Sequence, residues 1–241
     1  MINLNDRVAL ITGGSRGIGA ACAILFAKAG ADVALVYRSH DDEAQAVKAR
    51  VEAAGRQAIL LKGDVSHFAT AREHVDRTIG ELGKIDVLVN NAGIWTYLET
   101  GAGAEAEWDK VLAVNLKSVF NYTDATVPYM KKAGGGNIIH ISSTAGQRGE
   151  AHHSHYAASK GGIIAYTKSL AAELAPAIRV NSVAPGWVDT HMNDGVFADE
   201  QFRSEAEMNI PLQRIPTAED LAGPVLFLAS DLARHITGEI L

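Results

Sequence analysis

Short apolar runs rich in β-branched residues alternate with alanine-rich stretches of helical length along the whole chain. Continuously apolar strands separated by helices are typical of a parallel sheet that is covered on both faces. Because the crossovers in such sheets are nearly always right-handed, the alternation predicts an α/β fold with a doubly wound parallel sheet flanked by helices on both faces. We predict six strands, at residues 8–12, 32–37, 57–61, 85–90, 137–142 and 178–184.

The composition is that of an ordinary globular protein from a reducing compartment. Residues 1–241 contain no repeat, low-complexity segment or linker, so we expect a single domain. The formal net charge of -6 argues against nucleic acid as a partner, and the single cysteine, Cys22, argues against a disulfide framework. The N-terminus lacks a signal-peptide pattern, and no apolar run approaches the length that spans a bilayer. We therefore expect a cytoplasmic protein with no nucleic-acid or membrane partner.

Two polar pairs mark where helices begin. Ser39 precedes Asp42 by three residues, and Thr217 precedes Asp220 by the same spacing, so each pair is predicted to cap a helix N-terminus. The least regular stretch is 190–216, which follows the sixth strand. Its irregularity predicts a flap or short helices over a site, with a plain surface insertion as the alternative.

A glycine-rich turn joins the first strand to the first helix. Gly13, Gly17 and Gly19 follow the spacing G-x-x-x-G-x-G. Glycine allows a tight turn and lets a ligand approach the backbone amides, and the free N–H groups at the helix N-terminus suit a pyrophosphate. The turn therefore favours a Rossmann-type dinucleotide-binding domain, although a tight turn without a ligand would have the same glycines.

The end of the second strand bears on the choice of cofactor. An NAD site has an acid there that binds the ribose 2′-hydroxyl, whereas this strand ends Tyr37-Arg38. Together with Arg16 in the glycine turn, Arg38 could bind a 2′-phosphate, and Asp41 and Asp42 fit a helix start better. We therefore favour NADP(H) over NAD(H); the alternative is that both arginines are solvated surface charges.

A serine, a tyrosine and a lysine form the candidate catalytic set. Tyr156 and Lys160 are four residues apart and share a helix face. A nearby ammonium favours the phenolate, so we expect Lys160 to draw the pKa of Tyr156 down toward neutrality. Ser143 follows the fifth strand, at the sheet edge where such folds bind ligands, and its hydroxyl can bind a substrate oxygen.

These motifs occur in a fixed order that resembles one enzyme family. They are TGGSRGIG (12–19), NNAG (90–93), Asn115, ISS (141–143), YAASK (156–160) and PGWVDT (185–190). Over essentially its whole length the chain resembles the short-chain dehydrogenases/reductases, and specifically their short, single-domain members. The resemblance implies an oxidoreductase that transfers a hydride between a nicotinamide and a carbonyl or secondary alcohol.

The resemblance also implies a role for each matching residue. Tyr156 is the general acid/base, Lys160 lowers its pKa and holds the nicotinamide ribose, Ser143 orients the carbonyl oxygen, and Asn115 supports a water that relays protons to Lys160. Cofactor binding is assigned to Gly13, Ser15, Arg16, Ile18 and Gly19 in the turn, Arg38 at the 2′-phosphate, Asp64 and Val65 at the adenine, Asn91, Ala92 and Gly93 after the fourth strand, and Pro185, Gly186, Val188 and Thr190 at the carboxamide, besides Tyr156 and Lys160.

Several functional alternatives remain at this point. The overall pattern resembles 3-oxoacyl-[acyl-carrier-protein] reductases, for which Lys131 and Lys132 are candidate carrier contacts, although two lysines also suit a helix C-terminus. Broad carbonyl reductases and sugar or alcohol dehydrogenases that use NAD(H) share the motifs. A dehydratase or epimerase on the same cofactor fold is a further alternative. A non-catalytic NADP-binding regulator is another, but such a protein would be expected to have lost Tyr156 or Lys160, and both are present.

The resemblance implies a homo-oligomer, preferably a tetramer and otherwise a dimer. The sequence ends at ITGEIL, where family members usually continue into a tail that lies at a subunit interface. This weakens the expectation of a tetramer.

Histidines and aromatic residues cluster near the motifs. His152, His153 and His155 precede Tyr156, but no Cys or Glu stands at metal-ligand spacing, so we expect no metal site and predict that they line the substrate pocket or face solvent. Trp95, Tyr97 and Trp187 are predicted to shape the pocket, with ordinary packing as the alternative.

Overall fold

The computed structural model describes residues 2–241. Six strands form one parallel sheet in the order β3-β2-β1-β4-β5-β6. Their bounds are Val8–Thr12 (β1), Asp32–Tyr37 (β2), Ala58–Lys62 (β3), Val87–Asn90 (β4), Gly136–Ile141 (β5) and Ile178–Val183 (β6). Each overlaps a predicted strand, and the predicted doubly wound α/β fold is confirmed.

Ten α-helices connect or follow these strands among the described residues. They are Gly17–Lys28 (α1), Asp41–Ala53 (α2), Phe68–Leu82 (α3), Glu105–Leu112 (α4), Ser118–Lys132 (α5), Thr144–Arg148 (α6), Ser154–Leu174 (α7), Asp194–Phe197 (α8), Glu200–Asn209 (α9) and Ala218–Ala229 (α10). A π-helical segment, Ala113–Lys117, joins α4 to α5, and a 3₁₀ turn spans Asp231–Ala233. The short α8 and α9 fill the irregular region 190–216, as expected.

The helices bury alternate residues of the sheet on its two faces. On one face, Ala9 and Ile11 of β1 pack in a core with α1, α2 and α10. On the other face, Leu10 packs in a core with α3, α5 and α7. Successive residues of a strand point to opposite faces, so a strand buried on both sides is mostly apolar. This explains why β1 and β2 are nearly continuous apolar runs, whereas the buried polar residues of β5 and β6, His140, Asn181 and Ser182, are each hydrogen-bonded.

Of the two predicted helix caps, one is confirmed and one is wrong. Thr217 accepts a hydrogen bond from the Asp220 backbone N–H and Asp220 caps Thr217 in return, which forms a capping box at α10. Ser39 does not cap α2. The N-cap there is His40, whose backbone is left-handed with φ 68°. Asp41 instead opens α2 and receives hydrogen bonds from Tyr37 Oη at 2.9 Å and from Lys62.

The last residues of the chain pair with the outer strand. The backbone of Gly238 bonds to Val180, and that of Leu241 bonds to Ser182, so this segment runs beside β6 at the edge of the sheet. No helix among residues 2–241 is both long and apolar enough to cross a bilayer.

Candidate active site

A cavity of about 400 Å³ opens at the carboxyl ends of the strands. The strand order reverses between β1 and β4, because β1 is followed in space by β2 on one side and by β4 on the other. Helices leave the sheet in opposite directions at such a switch point, and the crevice between them is where open α/β sheets bind ligands. The glycine turn and the candidate catalytic side chains all meet at this crevice.

The glycine turn is tight and closely braced. Gly13 and Gly17 have φ of +66° and +55°, a conformation that other residues rarely adopt. A Cβ at Gly19 would lie 2.3 Å from the carbonyl oxygen of Gly13, so only glycine fits there. Asn91 Nδ2 donates to the carbonyls of Thr12 at 2.9 Å and Gly13 at 3.2 Å. The segment after β4 therefore holds the turn in shape.

Thr12 contributes to the same brace, and sequence reasoning missed it. Its Oγ1 accepts hydrogen bonds from the backbone N–H groups of Asn91 and Ala92, each at 3.0 Å. Thr12 is the last residue of β1 and is buried. A polar residue that ends an otherwise apolar strand was the available signal.

Two arginines line the cavity at the glycine turn and at the end of β2. Arg16 and Arg38 both line it, and Arg38 lies 3.7 Å from Asp64. The Asp41 carboxylate accepts hydrogen bonds from Lys62 and Tyr37, and these bonds hold the pKa of the carboxyl below its ordinary range. The first acid after the second strand is thus already paired, which agrees with the prediction that Asp41 belongs to a helix start.

Ser143, Tyr156 and Lys160 line the opposite part of the cavity. Ser143 caps α6: its Oγ accepts from Ala145 N at 3.1 Å and donates to the Pro185 carbonyl at 3.4 Å. Tyr156 lies in the first turn of α7 and is 9% exposed, with Lys160 one turn later. The Lys160 Nζ donates to the carbonyl of Ile141 at 2.8 Å and lies 5.6 Å from the centre of the Tyr156 ring.

Burial sets the protonation of this pair. It raises the pKa of Tyr156 to about 12, against a smaller lowering by the Ser143 hydroxyl, and it lowers the pKa of Lys160 to about 8. The expectation that Lys160 draws the pKa of Tyr156 toward neutrality is therefore wrong for the protein alone, because both groups lie where charge is poorly solvated. At neutral pH the phenol keeps its proton and can donate it.

Asn115 lies behind the cavity wall, in the π-helical segment. It is fully buried, accepts from the Ile94 N–H at 2.8 Å and donates to the Ile94 carbonyl at 2.9 Å and to Ser159 Oγ at 3.2 Å. Short π-helical segments are frequent at functional sites. Gly93 lies next to both groups, since a Cβ there would be in ordinary contact with Asn115 Oδ1 at 3.4 Å and Lys160 Nζ at 3.5 Å. The predicted water relay through Asn115 remains a prediction.

Most of the predicted site residues share the one cavity. Its lining includes Gly13, Ser15, Arg16, Ile18, Arg38, Asp64, Val65, Asn91, Ala92, Gly93, Ser143, Tyr156, Lys160, Pro185, Gly186, Val188 and Thr190. Gly19 and Asn115 do not line it. Gly19 acts through the shape of the turn, and Asn115 through its bonds to Ile94.

The three histidines pack against separate partners. His153 stacks on Trp95 with ring centres 4.2 Å apart, and His152 stacks on Tyr97 at 5.3 Å. His155 is buried, with Nε2 3.0 Å from Thr96 Oγ1. The prediction was that they line the pocket or face solvent: none of the three lines the cavity, His152 is exposed to solvent, and His155 does neither because it is buried. Trp95 and Trp187 do line the cavity. Tyr97 is 61% exposed and does not line it.

Sequence reasoning also missed two charged residues beside the aromatic wall. Arg148 at the end of α6 and Glu150 just after it line the cavity near Ser143 and Tyr156. Glu150 lies 3.8 Å from His153 Nδ1. The only sequence signal was that both residues lie between the ISS and YAASK motifs. The spacing does not show that their side chains reach the cavity.

Comparisons with known proteins find relatives of the chain over essentially its whole length. Residues 13–241 match the family model described as enoyl-(acyl carrier protein) reductase. The chain is 41% identical to a 3-oxoacyl-[acyl-carrier-protein] reductase of Thermotoga maritima, over 100% of this chain and 97% of the relative. It is 39% identical to an L-rhamnose 1-dehydrogenase (NAD(P)(+)) of a Sphingomonas species, over 99% and 94%.

A solved structure extends the likeness to the whole fold. The chain superposes on a putative short-chain alcohol dehydrogenase of Sinorhizobium meliloti with a TM-score of 0.95 and 37% identity, covering 99% of this chain and 95% of the other. The full-length match of fold and the relatives near 40% identity together establish the family. This chain belongs to the short-chain dehydrogenase/reductase family of nicotinamide-dependent oxidoreductases.

Proposed function

We propose that the protein is an NADP(H)-dependent oxidoreductase that interconverts a carbonyl compound and its secondary alcohol, with residues 1–241 acting as one cofactor-binding and catalytic domain. The observation that carries the proposal is the meeting of Ser143, Tyr156 and Lys160 with the glycine turn on one cavity. A non-catalytic regulator would have no use for a buried phenol and ammonium, whose burial disfavours charge.

The residues around the glycine turn fit a dinucleotide. Positive φ at Gly13 and Gly17 directs the turn around the start of α1, where free N–H groups and the helix dipole suit a pyrophosphate. Thr190, Val188 and Gly186 line the same cavity and would hold the nicotinamide end. When bound, the nicotinamide supplies or accepts the hydride.

Tyr156 would act as the general acid during reduction. Its neutral phenol donates a proton to the substrate oxygen as negative charge develops there, and Ser143 Oγ hydrogen-bonds the same oxygen. Lys160 stands one turn from Tyr156, and its ammonium stabilises the phenolate that remains after transfer. In the oxidative direction the phenolate takes up the alcohol proton, so that direction should gain from raised pH.

The preference for NADP(H) rests on the two arginines at the end of β2 and in the turn. Arg16 and Arg38 line the same end of the cavity, and the first acid after β2, Asp41, is held by Lys62. A 2′-phosphate placed there would meet two guanidinium groups that suit it geometrically.

The cofactor preference is tested by reversing the charge at Arg38. In Arg38→Asp the ratio of kcat/KM for NADPH over NADH should fall by about tenfold or more, because one charged hydrogen bond to the phosphate is lost and a repulsion is added. The exposed Arg50 on α2 provides a control, since Arg50→Asp makes the same charge change outside the cavity. An unchanged ratio in Arg38→Asp would remove the basis for the NADP(H) assignment.

The substrate is first tested with a panel of carbonyl compounds. NADPH oxidation is followed by the loss of absorbance of the reduced nicotinamide at about 340 nm, corrected for the absorbance of each substrate. The substrates are a neutral acetoacetyl thioester, simple ketones, diketones, quinones and sugar lactones, each repeated with NADH. Thioester turnover would support a 3-oxoacyl reductase, the candidate favoured by the Thermotoga relative. Activity confined to sugars would support the candidate favoured by the Sphingomonas relative. If none of these compounds were reduced with either cofactor, the proposed oxidoreductase activity would be contradicted.

A homo-oligomer, preferably a tetramer, also remains a proposal. An apolar groove along α4, the π-helical segment and α5 supports it: Leu112 and Leu116 line the groove, and Phe120, which also lines it, is 45% exposed. Light scattering should give a mass at least twice that of one chain, and a clean monomer would contradict the proposal. Cytoplasmic location likewise remains a prediction.

A further inference from the structure

The substrate end of the cavity carries an arginine that the proposed reaction does not use. Arg148 is the last residue of α6, lines the cavity and is exposed. Among residues 2–241 it has no ion-pair partner, whereas Arg203 and Arg214 are each paired with an aspartate at 2.7 Å or less. An unpaired guanidinium at the wall of a binding cavity is available to a ligand.

The short helix α6 fixes how far Arg148 stands from the reacting oxygen. Ser143 caps the start of α6 and Arg148 ends it, five residues later. A rise of about 1.5 Å per residue separates the two Cα atoms by about 7.5 Å along the axis. A substrate whose oxygen is bound by Ser143 would therefore bring a group only a few bonds away within reach of the guanidinium.

Aromatic rings make the same end of the cavity compact. Trp95 and Trp187 meet edge to face with ring centres 5.9 Å apart, from the loops after β4 and β6. His153 supports Trp95 from behind, and Phe202 meets the Trp187 ring at 5.4 Å. Rings fixed by such contacts form firm walls. The same cavity, of about 400 Å³, would also hold the cofactor, so these walls bound the space left for the group next to the reacting carbon.

Glu150 is the opposing charge at this rim. It lies 3.8 Å from His153 Nδ1 and is 25% exposed. The same His153 nitrogen lies 2.9 Å from the Ala151 carbonyl. That nitrogen is therefore occupied by the Ala151 carbonyl, and Glu150 remains an opposing carboxylate on the rim. The unpaired guanidinium of Arg148 favours an anion, against the repulsion of Glu150.

We propose that Arg148 selects a small carbonyl compound, or its alcohol, that bears an anionic group, a carboxylate or a phosphate, a few bonds from the reacting carbon. This rests on the proposed function and names its substrate class. In reduction, the carbonyl carbon gains a hydride from the reduced cofactor and its oxygen gains the Tyr156 proton, giving a secondary alcohol. The anionic group is unchanged, and solvent returns the proton to Tyr156.

The test compares matched pairs of anionic and neutral substrates. Acetoacetate is compared with methyl acetoacetate, and dihydroxyacetone phosphate with dihydroxyacetone. The wild type should favour one anion over its neutral partner by about tenfold or more in kcat/KM, because a charge-assisted, bidentate contact is gained. The pair with the larger ratio of kcat/KM, anionic over neutral, shows whether the anionic group that Arg148 binds is a carboxylate or a phosphate.

Variants at the rim then assign the preference to Arg148. Arg148→Gln should abolish the ratio, mainly through a higher KM for the anion, and Arg148→Lys should retain part of it, because an ammonium keeps the charge but not the planar fork. Glu150→Gln should raise the ratio, since it removes the opposing charge. Arg50→Gln, the same change on the exposed surface of α2, should leave the ratio unaltered.

A binding measurement separates this proposal from the proposed function. 3-Hydroxybutyrate and glycerol 1-phosphate are titrated by calorimetry into the protein with NADP⁺ present. Binding of one of them, weakened about tenfold or more in Arg148→Gln, supports the proposal even if turnover fails. Turnover of neutral carbonyls with no anion preference, or a preference that survives in Arg148→Gln, overturns it while the proposed function stands. Failure to bind either anion also overturns it.

Discussion

Replacing Gly19 by alanine tests whether the glycine turn is shaped by contact distances or only by flexibility. The new Cβ would lie 2.3 Å from the Gly13 carbonyl oxygen and 2.6 Å from Asn91 Nδ2. Ordinary contacts begin near ~3.5 Å, so the turn must open by about 1 Å. Overpacking of this kind costs about 1–3 kcal/mol, which corresponds to a Tm lower by about 2–12 °C in a chain of this size.

The same displacement should weaken cofactor binding, because the amides of the turn move away from the phosphates they would bind. We expect the Kd for NADPH, measured by fluorescence titration, to rise by about tenfold or more. Gly223→Ala is the matched control. Gly223 lies exposed in α10, and an added Cβ there would meet nothing within 4 Å, so alanine should leave Kd unchanged and raise stability by up to about 1 kcal/mol. A Gly19→Ala protein with wild-type Tm and Kd would refute the steric reasoning.

Two further predictions concern stability. The lowering of the Lys160 pKa from 10.5 to about 8 corresponds to a cost of about 3 kcal/mol for burying its charge. The hydrogen bond from Lys160 to the Ile141 carbonyl offsets part of that cost. We therefore expect Lys160→Met to lose activity and yet to have a higher Tm than the wild type at pH 7. The unfolded lysine stays protonated up to about pH 10.5. The wild type should therefore gain stability between about pH 8 and 10.5, and the advantage of Lys160→Met should shrink over that range; a Tm below wild type at pH 7 would contradict this. Thr217→Ala removes the capping box of α10 and should cost about 1 kcal/mol in urea unfolding, whereas Ser39→Ala, at the cap that does not form, should have little effect.

The strands and the cavity lining could be predicted because their causes are local in sequence. A strand buried on both faces is mostly apolar, so β1 and β2 are evident as nearly continuous apolar runs. The glycines of the turn stand out because their backbone conformation and close contacts exclude other residues. Parallel strands end at one edge of the sheet, which brings Ser143 near Tyr156 without knowledge of any other contact.

Other features depend on contacts between distant segments and could not be predicted. The helix α2 begins at Asp41 and is not capped by Ser39, and the Asp41 carboxylate is hydrogen-bonded by Lys62 from β3, a contact between distant segments. The pKa of Tyr156 rises because of how deeply the folded chain buries it, which the spacing to Lys160 does not reveal. That Arg148 lines a ligand cavity is evident only in the folded chain, because the other walls, Trp95 and Trp187, come from two other loops.

The central claim is that the Tyr156 hydroxyl supplies the proton, and Tyr156→Phe tests it most directly. The ring stays in its buried position while the donor is removed, so kcat should fall by about a hundredfold or more while the Kd for NADPH stays within about twofold. Tyr166→Phe, on the same helix but outside the cavity, is the control and should keep its activity. Near-normal turnover in Tyr156→Phe, with cofactor binding intact, would contradict the account.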